Sequence, residues 1–199
     1  MKLLLFSDVH SDLPAVAEVV RRAKAVDAVV CAGDLCNAHQ KLLRVVAVLV
    51  KIDKPTVLVA GNNETTEALT EACEGWPSAV VLHGTGVEIL GVPFFGVGGG
   101  IPVTPFGDWS YDFSEAEAEQ LLASCPTGGV LVTHSPPFGI LDVSSSGRSL
   151  GSTAIRAAMD RCRPKMLVCG HIHASGGKQE RAGDTPVVNA GPDGVVVEV

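Results

Sequence analysis

The sequence predicts an α/β fold, and three observations lead to that prediction. Its 199 residues fit a single domain over 1–199. Hydrophobic residues make up 46% of the chain and aromatic residues only 5%, so the core should be valine, alanine and leucine, as in strands covered on both faces. Strand-like apolar runs alternate with helical patterns through the first half. This βαβαβ order predicts a parallel sheet.

The first half supplies three strands and two helices. Three apolar runs predict strands at 3–6, 28–31 and 56–59. Asp12 with Pro14 begins a helix that runs to about Lys24. A second helix follows from the helical spacing of four apolar residues, Leu42, Val45, Val46 and Leu49.

From residue 79 the pattern changes to shorter strands at 79–82, 86–90 and 93–97, which form a second sheet or an antiparallel extension of the first. Ser114 caps a helix over about 114–123. Then follow a strand at 129–133, a helix at about 151–161 and a strand at 166–169. The chain ends in a predicted meander with strands at 177–182, 185–189 and 194–198. Two loops, 98–106 and 144–149, are predicted to be functional.

The charge of the chain restricts its partners. The formal net charge is −7, and no basic cluster stands out beyond Arg21, Arg22 and Lys24, which argues against stable nucleic-acid binding. Bound divalent ions would add positive charge in one cleft, so a small phosphate ester such as a nucleotide could still be attracted.

Cysteine usage and hydropathy predict a cytoplasmic protein. The six cysteines form no CxxC pair, and no secretory signal precedes them, which fits a reducing compartment. No apolar stretch approaches the roughly 20 residues of a membrane span, so no membrane association is expected.

Short groups of metal-binding residue types follow five apolar runs, where each predicted strand ends. They are Asp8 and His10, Asp34 after Gly33, Asn62 after Gly61, His134, and His171 with His173 after Gly170. Because α/β sheets gather their sites at the carboxyl ends of strands, these side chains are expected on one rim. Two carboxylates, one amide oxygen and four imidazoles suit a pair of divalent ions.

Taken singly, most of these groups have an ordinary structural alternative. Asp34 fits a common turn after a strand, and Asn62 or Asn63 could cap a helix that begins near Glu64. His134 could be a loop histidine bonded to the backbone. The pair His171 and His173 is the stronger signal, because two imidazoles two residues apart at a strand end are uncommon without a metal.

The order of the groups, DxH, GD, GN, H and GHxH, resembles the calcineurin-like metallophosphoesterase superfamily from Met1 to about Val199. Further segments are similar to its small single-domain prokaryotic phosphoesterases: 96–100, 104–106, 133–137 and 145–148. The resemblance implies a four-layer α/β/β/α sandwich of two mixed β-sheets flanked by helices.

The resemblance also implies a dinuclear metal site. One divalent ion would take Asp8, His10 and His173, the other would take Asn62, His134 and His171, and Asp34 would bridge them. Imidazole and oxygen ligands without a thiolate suit Mn, Fe, Zn, Co or Ni. The implied reaction is phosphate-ester hydrolysis by a hydroxide that the two ions share, so no nucleophilic side chain is required.

One position departs from the superfamily. Its usual Gly-Asn-His carries a histidine that donates a proton to the leaving group or contacts the phosphate, whereas Asn63 stands here. Asparagine cannot transfer that proton, although its amide can bind a phosphate oxygen. A phosphodiesterase is therefore the first hypothesis, a phosphomonoesterase is disfavoured, and a non-catalytic metal-binding scaffold is the third reading. Glu64 is expected to orient a ligand or simply to begin a helix.

Four further positions carry weaker expectations. Arg148 in the 144–149 loop could pair with a substrate phosphate or remain solvated. His39 is expected on the surface. Trp109 and Tyr111 line the cleft or pack at the edge of a core, and the sequence does not distinguish these two cases.

Overall fold

The computed structural model describes residues 1–199 and has the predicted α/β/β/α architecture, with two mixed β-sheets face to face between helices. The strands are β1 (Lys2–Phe6), β2 (Ala28–Cys31), β3 (Thr56–Leu58), β4 (Ala79–Val81), β5 (Thr85–Ile89), β6 (Val92–Val97), β7 (Val130–Thr133), β8 (Met166–Cys169), β9 (Gln179–Ala182), β10 (Thr185–Asn189) and β11 (Val195–Glu198). The helices are α1 (Leu13–Ala23), α2 (Leu42–Leu49), α3 (Thr66–Ala72), α4 (Glu115–Leu122) and α5 (Thr153–Cys162). None of these helices is long and apolar enough to cross a membrane.

The two sheets have five and six strands. The first has the order β11-β1-β2-β3-β4, with β1 to β4 parallel and β11 antiparallel. The second has the order β5-β6-β7-β8-β10-β9, with parallel strands in the centre and antiparallel β5 and β9 at the edges. Each sheet is therefore mixed, with its parallel strands covered on both faces.

Alternation along β1 shows why its apolar run is continuous. Leu3 and Leu5 pack in the cluster between the two sheets, whereas Leu4 and Phe6 pack in the cluster that contains α1 and α2. Successive side chains of a strand point to opposite faces, so both faces of β1 need apolar residues. A third cluster lies between the second sheet and α4 and α5.

Capping residues fix the ends of two predicted helices. Asp12 precedes α1, and its side chain accepts a hydrogen bond from Ala15 N–H. Ser114 precedes α4 and forms a capping box with Glu117. Both starts agree with the sequence prediction, because the capping side chain satisfies backbone donors that the first helical turn leaves free.

Three local predictions were wrong. β4 belongs to the first sheet, parallel to β3, rather than to a second sheet or an antiparallel extension. The end of the chain is not a meander, because β11 leaves β10 and pairs with β1 in the other sheet. α3 is capped by Thr65 rather than by Asn62 or Asn63. The first two errors concern strand pairings distant in sequence, which local patterns do not encode.

The topology brings five strand ends to one rim. β1, β2 and β3 are adjacent and parallel in the first sheet, and β7 and β8 are adjacent and parallel in the second. Backbone hydrogen bonds tie the segments beyond these ends together, from Asp8 N–H to Gly33 O at 2.9 Å and from Gly170 N–H to His134 O at 2.9 Å.

Candidate metal centre

The predicted ligands after β1, β2 and β8 form one group. The ligand atoms of Asp8, His10, Asp34 and His173 all lie within 4.8 Å of one another. His10 Nε2 is 3.0 Å from His173 Nε2 and 3.5 Å from Asp34 Oδ2. His173 Nε2 is 3.6 Å from Asp8 Oδ1. Two imidazoles and two carboxylates thus converge on a space of the size that one cation needs.

The ligands after β3, β7 and β8 form a second group around the side-chain oxygen of Asn62. His134 Nε2 lies 3.3 Å and His171 Nδ1 lies 3.2 Å from Asn62 Oδ1. The two ring nitrogens are 3.2 Å apart. Asp34 reaches this group too, because its Oδ1 is 3.5 Å from His134 Nε2 while its Oδ2 faces His10. One carboxylate therefore has one oxygen directed at each group.

Hydrogen bonds on the far side of two imidazoles leave the inner nitrogens free to bind a cation. Asn37 donates its Nδ2 to His10 O, so its Oδ1, 2.9 Å from His10 Nδ1, must accept a proton from that ring. Ala32 O lies 2.7 Å from His134 Nδ1 and can only accept. When each ring is neutral, its lone pair is on Nε2, which faces carboxylate or amide oxygen. Lone pairs facing oxygen acceptors are the donor set that a divalent ion fits.

The electrostatics of the site shift the pKa values of the candidate ligands in both directions. Burial raises the pKa of Asp8. Hydrogen bonds from His173 and Ser7 and the charge of His134 lower this pKa by a larger amount, so the net shift is downward. Burial and the neighbouring His134 lower the pKa of His171 to about 3, which keeps this ring neutral. Burial opposes but does not outweigh Asp34 and Asp8, which raise the pKa of His134. A hydrogen bond to Asp8 likewise raises the pKa of His173, so the carboxylates of the centre favour the protonated form of two of the imidazoles beside them.

Ser110 and Asp112 determine which end of the Asn62 amide faces the centre. Ser110 Oγ lies 2.8 Å from Asp112 Oδ1, and a carboxylate can only accept, so the hydroxyl proton goes to Asp112. Ser110 Oγ must then accept from Asn62 Nδ2, 3.1 Å away. This fixes Oδ1 of Asn62 toward His134 and His171, the only orientation in which the amide can bind a cation.

Asn63 is held between the backbone and Asp34. Its Oδ1 accepts from Ala38 N–H at 2.9 Å, so its Nδ2 points to Asp34 Oδ2, to which it donates at 2.8 Å. Its backbone N–H donates to the other oxygen of Asp34 at 3.0 Å. Asn63 thus orients the central carboxylate and, with one amide hydrogen left over, also lines the cleft.

Glu64 joins the two loops that carry Asp34 and Asn62. Its buried carboxylate accepts three backbone N–H groups, from Leu35 and Cys36 at 3.2 Å and from Gly61 at 2.9 Å. Burial and the nearby charge of Asp34 raise its pKa. Of the two alternatives expected for Glu64, orienting the ligand segments agrees with this geometry, whereas beginning a helix does not, since α3 begins two residues later.

The backbone at the ligands is unusual in two ways. Asp8, His10, Asp34 and His171 have φ of 56°, 42°, 57° and 64°, a left-handed region that such residues adopt only where the surroundings impose it. The glycine before Asn62 permits close approach, because a Cβ on Gly61 would come within 2.0 Å of Asp34 Oδ1. Residue 61 must therefore be glycine, because any side chain there would collide with Asp34.

A sequence profile described as the calcineurin-like phosphoesterase superfamily domain matches residues 1–196. The chain belongs to the calcineurin-like phosphoesterase superfamily. Members of this superfamily are metal-dependent hydrolases of phosphate esters, and the two converging ligand groups agree with that chemistry.

Individual proteins are similar to this chain in sequence or in fold. The UPF0046 protein T07D4.2 of Caenorhabditis elegans is 33% identical over 102 residues, 48% of this chain and only 24% of its own length. The crystal structure of TT1561 of Thermus thermophilus superimposes with a TM-score of 0.76 at 20% identity, over 96% of this chain and 90% of that one. An archaeal protein described as a novel phosphodiesterase superimposes with a TM-score of 0.53 at 18% identity, over 96% and 84%.

The superfamily site opens into a cleft of about 570 Å³. Its polar floor and its walls are formed by His10, Asp34, Asn62, Asn63, Phe106, Trp109, Ser144, Ser145, Leu150, His171, Ile172, His173 and Ala174. Both loops predicted to be functional contribute, the first through Phe106 and the second through Ser144 and Ser145. Arg148 is exposed, its guanidinium makes no hydrogen bond or ion pair, and it is not among the lining residues.

Several residues of the site were not found from the sequence. Asn37 orients His10, and Ser110 and Asp112 orient Asn62, yet none of them belongs to a recognisable pattern. Trp109 lines the cleft, whereas Tyr111 packs against the cluster beneath α1 to α3, so both sequence alternatives hold, one for each residue. His39 is exposed, as expected, and its Nε2 donates to Trp109 O at 2.5 Å.

Proposed function

We propose that the protein is a metal-dependent phosphodiesterase whose centre holds two divalent ions. Asp8, His10 and His173 would hold one ion, Asn62, His134 and His171 the other, and Asp34 would bridge them. The observation that carries the proposal is the orientation of Asp34, whose two oxygens face His10 and His134 at 3.5 Å each. A carboxylate in that position has no partner of opposite charge apart from the rings themselves.

The protein's own residues have defined tasks in such a reaction. When bound, the two ions would supply Lewis acidity that activates water near neutral pH and neutralises charge on the phosphoryl oxygens. Asn37, Ser110 and Asn63 hold His10, Asn62 and Asp34 in their orientations, so that little reorganisation is needed when charge develops. The free amide hydrogen of Asn63 is the group we assign to a phosphoryl oxygen of the substrate.

Asn63 is also the reason for preferring a diester. Without an imidazole at this position, the leaving group must depart without a proton from residue 63, which penalises poor leaving groups most. The structural similarity to an archaeal phosphodiesterase supports the same choice.

All six cysteines are free and buried, which supports the proposed reducing, cytoplasmic location.

Metal analysis of Asp34→Asn tests this function. Asparagine tolerates the positive φ of residue 34 and keeps its size, so the fold should persist, but the amide can offer oxygen to only one ion. We expect about two ions per chain in the wild type, fewer in the variant, and loss of turnover of an activated aryl diester. Asp53→Asn is a matched control, because Asp53 is exposed and lies at the amino-terminal end of β3. A wild type that retains no metal after saturation with Mn or Zn contradicts the proposal.

A further inference from the structure

The walls of the cleft differ from its floor. The floor carries the ligands, whereas the walls carry Phe106, Trp109 and Leu150, with Ser144 and Ser145 as the polar wall residues. A phosphate group belongs on the floor, beside the ligands. The organic part of a substrate must therefore lie against the walls.

Phe106 and Trp109 form an aromatic surface in this wall. Their ring centroids are 5.8 Å apart with planes inclined by 21°, so the rings are stacked. The two residues are nevertheless 52% and 40% exposed. Large aromatic side chains that are exposed to water beside a site are stabilised when a planar group of a ligand covers them.

The loop that carries this pair is anchored before any ligand binds. His39 donates to Trp109 O at 2.5 Å, and Tyr111 N–H donates to Asn62 O at 3.0 Å. Ser110, next to Trp109, bonds to the Asn62 side chain. The backbone that carries Trp109 is therefore fixed relative to Asn62, and little ordering of this part of the loop opposes binding.

Charge limits the number of phosphates that the cleft accepts. None of its lining residues is a lysine or an arginine, and Arg148 lies outside the lining. The chain as a whole has a formal net charge of −7. A second phosphate on the substrate would enter the walls without a cationic side chain, and such a group is costly to desolvate.

We propose that the cleft selects a phosphodiester with a single phosphate and a planar aromatic substituent, which packs on the Phe106–Trp109 pair. The inference rests on the proposed function, because it names the substrate class of the same site. The aromatic pair sets the specificity, and the ligand groups below it set the reaction.

Two diesters with the same leaving group test the inference. Bis(4-nitrophenyl) phosphate and methyl 4-nitrophenyl phosphate both release nitrophenolate but differ in the group that stays. We expect Trp109→Ala to lower the kcat/KM ratio of aryl to methyl diester about tenfold, mainly through KM, and Trp109→Phe to keep most of the preference. Phe138→Ala is the matched control, since Phe138 is an exposed aromatic residue outside the cleft lining and its loss should leave the ratio unchanged.

Fluorescence separates failure of the subsite from failure of the function. The chain has two tryptophans, and Trp76 is 2% exposed and bonded to Ile52 O, so a ligand in the cleft affects the emission of Trp109. In Zn²⁺-saturated protein, diphenyl phosphate should change this emission at concentrations where diethyl phosphate does not.

The possible outcomes distinguish failure of the aromatic subsite from failure of the hydrolase function. Turnover of both diesters with an unchanged ratio in Trp109→Ala overturns the subsite and leaves the hydrolase standing. An emission change without turnover supports the subsite and rejects the hydrolase. Absence of both rejects both.

Discussion

The two ligand groups on either side of Asp34 differ in exposure and in donor chemistry. The side chain of His134 in the second group is 0% exposed, whereas that of His173 in the first is 65% exposed. The first group has a carboxylate of its own in Asp8, whereas the second offers two imidazoles and an amide. Apart from the shared Asp34, an ion in the second group would be enclosed by imidazole and amide donors. An ion in the first group would remain open to water, and this site would also suit harder metals such as Mn.

The pair His134→Ala and His173→Ala tests this difference most strongly. Each variant removes one imidazole, so each should lose metal and turnover. Only His134→Ala should also destabilise the metal-free protein, by about 2–3 kcal/mol, because it leaves a cavity and an unpaired Ala32 carbonyl. Urea unfolding of the metal-free proteins measures the loss in free energy of unfolding. Equal stability losses in the two variants would contradict the contrast in burial.

Asn63→His probes the carboxylate between the two groups. An imidazole at 63 can donate a proton, so hydrolysis of diesters with poor leaving groups should rise about tenfold relative to good ones. The variant also loses the bond from Asn63 Nδ2 to Asp34, so the rate with good leaving groups should not rise. The measurement is the slope of log kcat/KM against leaving-group pKa. Parallel lines for the two enzymes would remove the role assigned to residue 63.

Ser110→Ala tests the second ligand group separately from the first. Without the hydroxyl, the Asn62 amide can turn its nitrogen toward His134 and His171. We expect affinity for one of the two ions to fall about tenfold while the other is unaffected. Ser110→Thr keeps the hydroxyl and should behave as wild type in Zn²⁺ titrations. Loss of both ions together would mean that Ser110 acts on the whole rim.

The smallest effect is expected for Arg148→Ala. If Arg148 pairs with a substrate phosphate, one of the two alternatives from the sequence, the variant should raise KM for substrates with an extra phosphate. The exposed, unpaired guanidinium outside the cleft lining instead favours a change in KM below about twofold. KM for an aryl diester and for an analogue with a second phosphate decides between them. A selective rise for the second would restore Arg148 as a substrate contact and weaken the single-phosphate inference.

The sequence predicted which strand-end residues meet at the rim better than it predicted the residues that orient them, for a physical reason. Each candidate ligand follows an apolar strand, and parallel neighbours in one sheet share a rim, so local patterns suffice to bring Asp8 near Asp34. Asp8 comes near His171 only because the two sheets pack face to face. β11 could not be assigned in this way, because its partner β1 lies at the other end of the chain. Side-chain orientation was equally inaccessible, since Ser110 contacts Asn62 across a loop that has no periodicity.

The left-handed backbone at His10 and His171 lowers the stability of the fold at positions where the proposed chemistry needs an imidazole. Glycine or asparagine would adopt φ of 42° and 64° with less strain, by about 1 kcal/mol per residue, yet neither supplies an imidazole. Selection of a mutant library for thermal stability alone would therefore drive these two positions away from histidine. An engineer who stabilises this scaffold must exclude them from the search.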